Sequence, residues 1–173
     1  MKNLFIAYTP YHILLSHGLV EDMSGEIENY LIIFSDFIDK KALKYLQETK
    51  LQSQFNEILY YASGTDLRLF TRLKRQLIMW KNVRFITKFV KKHKFDRVYV
   101  FNDLRMESQA ALHFVRRRNK NSMIIYVEDG ISVYHTSPLT YWKKSVFASV
   151  IKKIIYGLWL DNTLIPGTTK WID

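Results

Sequence analysis

Short apolar runs alternate along the chain with longer stretches in which apolar residues recur every third or fourth position. Leu4–Tyr8, Tyr30–Phe34, Ile58–Tyr61, Arg97–Phe101 and Met123–Val127 are the short runs. They are rich in Ile, Val, Tyr and Phe and are bounded by polar or turn-forming residues, as buried strands are. Thr9-Pro10 predicts a helix start, because Thr9 can cap and Pro10 at the first helical position loses no hydrogen bond. Ile13, Leu14 and Leu19 supply that helix with an apolar face, and Ser24-Gly25 breaks it. Ser35–Asp39 offers capping residues for a helix over Ala42–Leu51, with Leu43 and Leu46 inward. Ser63-Gly64 closes the third strand, and a long basic helical pattern then runs from Asp66 to Lys92. Its apolar face reads Phe70, Leu73, Leu77, Trp80, Val83, Ile86 and Phe89, with a division into two helices near Asn82. Met106–Arg118 is the next helix.

Strand and helix thus alternate four times before the strand that leads to Glu128. Such alternation predicts an α/β fold, a parallel sheet with helices on both faces. Beyond Gly130 the pattern loosens. Val133–Pro138 is irregular, Tyr141–Tyr156 is amphipathic and basic, and Thr163–Pro166 reads as a last short strand. With 173 residues the chain forms one domain, 1–173.

Composition narrows the chemistry. Hydrophobic residues make up 48% and aromatics 15%, which suits a packed core and not a disordered chain. The lack of cysteine excludes disulfides, a thiol nucleophile and cysteine zinc sites. None of the five histidines has ligand spacing to another, so no metal site is expected. Gly-x-Gly-x-x-Gly, Gly-x-x-x-x-Gly-Lys-Ser/Thr and Gly-x-Ser-x-Gly are all missing, which disfavours dinucleotide binding, P-loop chemistry and α/β-hydrolase catalysis. The first residues lack a signal peptide's apolar core, and nowhere do 18 uncharged apolar residues run together. The expected location is cytoplasmic, with peripheral contact at the inner membrane surface allowed. Charge is unevenly spread: residues 68–120 carry 16 Lys/Arg against 3 acids, whereas 1–67 carry 5 against 9. An anionic partner is the implication, though a solvated basic face gives the same count.

The chemistry-bearing residues sit where strands end. Glu128-Asp129-Gly130 follows the fifth strand, and in open α/β sheets ligands gather beyond the carboxyl ends of the strands. Asp129 is the candidate general base, Glu128 a like charge that would raise the pair's proton affinity if both face one pocket, and Gly130 the residue that permits a sharp turn. An ordinary turn with two exposed acids fits the same three residues. Thr9, Pro10, Tyr11 and His12 follow the first strand, where a helix N-terminus can meet an anion or a sugar hydroxyl. A plain capped helix fits these too. Asn102 and Asp103 follow the fourth strand as further substrate-binding candidates or as a cap. Arg116, Arg117 and Arg118 end a helix, either as an anion site or as favourable charge at a helix C-terminus.

Two of these stretches carry a family likeness. Leu4–Ser16, Leu-Phe-Ile-Ala-Tyr-Thr-Pro-Tyr-His-Ile-Leu-Leu-Ser, resembles the opening of bacterial sialyltransferases. Tyr126–Gly130, Tyr-Val-Glu-Asp-Gly, resembles their short acidic motif, which also follows a strand of the N-terminal domain. The nearest groups are the lipooligosaccharide sialyltransferases and the capsular polysialyltransferases. The resemblance implies one Rossmann-like half of a GT-B glycosyltransferase, the half that holds an anionic glycan acceptor. It implies Asp129 as the base that deprotonates an acceptor hydroxyl, Glu128 as its helper, CMP-sialic acid as donor, inversion at the anomeric carbon, and no metal or other cofactor.

One departure stands out. The family's His-Pro motif, which engages the donor's phosphate, is missing: Pro10, Pro138 and Pro166 are the only prolines and none follows a histidine. The expectation is therefore an N-terminal acceptor domain that needs a second domain and is inactive alone. A basic nucleic-acid-binding module, or a GT-B transferase with another donor, remains as the alternative. No recognisable nucleic-acid motif supports the former, so no nucleic-acid partner is expected.

Overall fold

The computed structural model describes residues 1–35, 51–62, 72–128, 153, 160–161, 167 and 169–172. β1 (Lys2–Ala7), β2 (Glu28–Ser35), β3 (Glu57–Ala62), β4 (Arg97–Val100) and β5 (Met123–Tyr126) form one sheet. Its order is β3-β2-β1-β4-β5 and every pairing is parallel. This is the Rossmann-like order, in which the chain winds one way from β1 and then returns to β1's other side.

Helices cover both faces. On one lie α1 (Pro10–Glu21) and the short α2 (Leu51–Gln54), packed with Phe5, Ala7, Leu31, Ile33 and Tyr99. On the other lie α3 (Arg72–Lys92) and α4 (Met106–Arg118), packed with Leu4, Ile6, Ile32, Val98, Val100 and Ile124. Alternate residues of one strand serve opposite layers, so Leu4 through Ala7 are all fully buried. A strand apolar on both faces is what a parallel sheet clad on both sides requires.

The helix starts follow local chemistry. Thr9 Oγ1 accepts from the His12 N–H at 3.2 Å, and Pro10 opens α1. α1 ends before Gly25, whose φ of +101° turns the chain toward β2 at a value that side-chain-bearing residues rarely adopt. Leu14 is exposed, whereas Ile13 and Val20 carry α1's packing.

The expected division near Asn82 is corrected: α3 runs unbroken through it. Asn82 is buried there and donates from Nδ2 to Glu107 Oε1 of α4 at 3.3 Å, so its polarity is absorbed by a neighbouring helix. The inward face also differs from the one the periodicity implies. Val83, Ile86, Phe89 and Val90 reach the core, but Leu77 and Trp80 face outward. Of the helix expected over Ala42–Leu51, only Leu51 is described, as the first residue of α2; the strand expected over 163–166 and all of 141–156 except Lys153 lie outside the described residues.

Candidate functional site at the carboxyl edge of the sheet

β1 and β4 lie side by side, yet the chain leaves them in opposite directions, one toward β2 and the other toward β5. The loops after them diverge, and the opening between is where such sheets receive ligands. Residues 8–12 from one side and 101–108 from the other line it.

His12 is the joint between the two sides. Its ring stacks on Phe101 with centroids 4.8 Å apart and planes 12° from parallel. Nδ1 accepts from the Tyr8 backbone N–H at 3.1 Å, which leaves Nε2 to carry the proton of the neutral ring. Only 2% of His12 is exposed, so it shapes the end of β1 from beneath the surface. Tyr8 is as deeply placed. Its hydroxyl is 2.7 Å from Ser108 Oγ, and the Arg105 guanidinium stands 5.3 Å from its ring centre. Burial foremost, and the charge of Glu107 next, push the Tyr8 hydroxyl far up, so it stays protonated and serves as no base.

Two of the expected substrate residues are engaged within the protein. Asn102 Oδ1 accepts from the Leu104 N–H at 3.2 Å and shapes its own turn. Asp103, fully buried, accepts from the backbone N–H groups of Gly167 at 2.9 Å and Thr169 at 3.2 Å, one on each carboxylate oxygen. It clasps a segment more than sixty positions away to the end of β4. Gln109 adds a reciprocal pair with the Asp161 backbone, donating to its carbonyl at 3.2 Å and accepting from its N–H at 2.7 Å. Gly167 lies flat against Tyr126 at the end of β5; a Cβ there would stand 2.9 Å from the ring, and φ is +75°. Nothing in the local sequence around Asp103 signals these long-range partners, and Arg105 and Ser108 escaped sequence reasoning for the same reason.

The rest of the edge is open. Tyr11, in the first turn of α1, is 52% exposed, and Thr9 and Pro10 beside it are half-buried and exposed. Strand pairing persists one residue past β5, where the Val127 N–H donates to Val100 at 2.9 Å. Glu128 is thus the first residue clear of the ladder, and it is exposed. Asp129 and Gly130 lie outside the described residues.

Arg116, Arg117 and Arg118 are elsewhere. They form the last turn of α4, which begins at the carboxyl edge and ends at the opposite one, about 20 Å away for its 13 residues. There Arg116 Nη1 donates to the Lys120 carbonyl at 3.3 Å. The structure therefore does not bring the arginines to the crevice beside His12. Among the described residues no three His, Cys, Asp or Glu side chains gather as metal ligands would.

No protein-family model matches the sequence, and no curated protein matches it. Solved structures of similar layout exist. The C-terminal domain of a hydrogenase from Pyrococcus furiosus aligns with a TM-score of 0.49 at 8% identity, over 73% of this chain and 90% of that domain. UDP-GlcNAc 2-epimerase from Neisseria meningitidis, solved bound to UDP-GlcNAc, aligns with a TM-score of 0.47 at 14% identity. That alignment covers 73% of this chain and 31% of the epimerase. These likenesses concern the layout of strands and helices alone.

Proposed function

We propose that the chain is the acceptor-holding half of a GT-B-type glycosyltransferase, one that moves sialic acid from CMP-sialic acid to a glycan in cell-surface polysaccharide or lipooligosaccharide synthesis. The observation that carries this reading is the position of Glu128. Ladder pairing runs through Val127, so Glu128 emerges directly past a strand end, on the edge where parallel sheets receive ligands, and Asp129 is the next residue in the sequence.

In this reading Asp129 takes the proton of an acceptor hydroxyl. The freed oxygen attacks the anomeric carbon of the donor, the bond from that carbon to the phosphate oxygen breaks, and CMP departs. Glu128 is the helper of Asp129, next to it in the chain, and Gly130 is the residue type that permits a sharp turn. Tyr11 offers an open ring for stacking on a sugar, while Thr9 and Pro10 set the helix start beside it. His12, buried on Phe101, holds that start in place. The nucleotide half of the donor belongs to a second domain, so the chain alone binds acceptor and does not turn over.

Two measurements test the proposal. Calorimetry on the chain should detect sialylated oligosaccharides and not CMP; CMP binding with no glycan binding would reverse the assignment. With a donor-binding domain joined to the chain, Asp129→Ala should slow transfer by about a hundredfold to ten-thousandfold, with acceptor affinity retained. Undiminished transfer would remove Asp129 from the role of base.

A further inference from the structure

α3 is longer than the sheet it covers. Near its middle, the Phe85 ring stacks 3.9 Å from Tyr61, close to the carboxyl end of β3. Asn82 is bonded to Glu107 in the first turn of α4, again at that edge. At its far end His93 packs on Tyr30, close to the start of β2. Met79 is the first residue of the helix to pack on the core, so the seven residues from Arg72 to Ile78 project past the carboxyl edge, about 10 Å of helix.

The outward side of this helix has an unusual composition. Its 21 residues hold eight Lys/Arg and no acid. Leu77, Trp80, Lys81, Arg84, Lys88 and Lys91 are all exposed, and at 100° per residue they fall on one stripe roughly a third of the circumference wide. Leu77 is 57% and Trp80 43% exposed, on the side of α3 away from the core. Arg84 lies 4.4 Å from the centre of the Trp80 ring. The stripe is apolar at its projecting end and cationic along the rest.

We propose that this stripe docks the protein on an anionic phospholipid surface, with Leu77 and Trp80 entering the headgroup boundary and the cations of α3 meeting lipid phosphates. A basic helix with apolar side chains on its open face lies in a membrane interface in this way, and Trp is at home at that depth. Phosphates of nucleic acid would match the cations but give an exposed leucine nothing to enter. Among the described residues no helix is long and apolar enough to cross a membrane, so the contact is with one surface. The projecting end belongs to the carboxyl edge, so docking would set the open crevice close to the lipid. This inference is independent of the transferase reading, and either can fail without the other.

The test is co-sedimentation of the 173-residue chain with vesicles of phosphatidylcholine alone and with phosphatidylglycerol mixed in. Binding is expected on the anionic vesicles and should weaken with salt. Each cation near such a surface contributes about fivefold, so Lys81→Gln with Arg84→Gln and Lys88→Gln should weaken binding by about a hundredfold. Leu77→Ser with Trp80→Ser should weaken it by about tenfold or more. Arg117→Gln with Arg118→Gln, at the opposite edge, should leave it nearly unchanged. All these side chains are exposed, so each variant should keep the wild-type circular dichroism. Equal binding to neutral vesicles, binding retained by the triple variant, or an equal loss from the arginine control would each overturn the proposal. Preference for a duplex oligonucleotide over anionic vesicles would also overturn it, and would assign the stripe to nucleic acid.

Discussion

The two edges of the sheet use the same polar residue types for opposite ends. At the amino edge, side chains close the backbone. Asp96 Oδ2 accepts from the Lys2 N–H at 2.8 Å, Asn56 Oδ1 from the Asn29 N–H at 2.8 Å, and Asn119 and Ser122 both donate to the Phe95 carbonyl. At the carboxyl edge, Asn102 and Asp103 do similar work, but Tyr11 and Glu128 beside them are open to solvent. A carboxylate sealed beneath the surface with an amide on each oxygen is out of a ligand's reach; an exposed one is not. Burial and partnership therefore separate structural acids from available ones where residue type cannot.

The strongest break of this contrast is Asp103→Ala. It strands two backbone N–H groups and releases the C-terminal segment, so unfolding by urea should show a loss of about 3 kcal/mol. Tighter glycan binding in that variant would mean that the clasp also screens the crevice. Asp96→Ala, at the amino edge, removes one amide partner and should cost about 1–2 kcal/mol in the same experiment. It should leave vesicle and acceptor binding untouched; a change in either would end the division of labour drawn here.

Acidification probes the layer of α3 and α4. Burial, reinforced by Lys92, lowers the His93 pKa below its ordinary 6.5, and burial with Arg117 and Lys170 lowers that of His113. The unfolded chain then binds protons more readily than the folded one. The stability these neutral rings contribute is complete above pH 6.5 and is lost as the pH falls through that value toward the lower folded pKa values. Melting followed from pH 7.5 to 5 should fall, and His113→Phe should flatten the curve. The smallest effect belongs to the Lys2–Glu28 pair. It is short, at 2.7 Å, but solvent-exposed, so Glu28→Gln should not measurably shift the melting temperature.

The elements legible from sequence were those governed by neighbours in the chain. Thr9-Pro10 marks the start of α1 because cap and ring act within one turn, and Met106–Arg118 is bounded as its periodicity implies. Asn82 misled because its partner, Glu107, comes from another helix. Leu77 and Trp80 misled because spacings of three and four drift round a helix, and both fall on the side away from the face that Val83, Ile86 and Val90 bury. The clasp at Asp103 was illegible for a plainer reason: no local pattern ties an aspartate to amides more than sixty residues later. Of the carboxyl edge, the order of the loops was readable, and the identity of the occupied carboxylate was not.

The central place of β1 has a consequence during synthesis. It is made before the other four strands of the sheet, and β2 can pair with one side early, but its other neighbour is β4, where Leu4 meets Val98. At typical elongation rates of about 5–20 residues per second, that side waits about 5–20 s for its partner. For that interval the nascent chain carries an unpaired apolar strand edge of the kind that recruits other chains. A slow stretch of translation before residue 97 would lengthen the exposure, so the yield of soluble protein should depend on how quickly this part of the message is read.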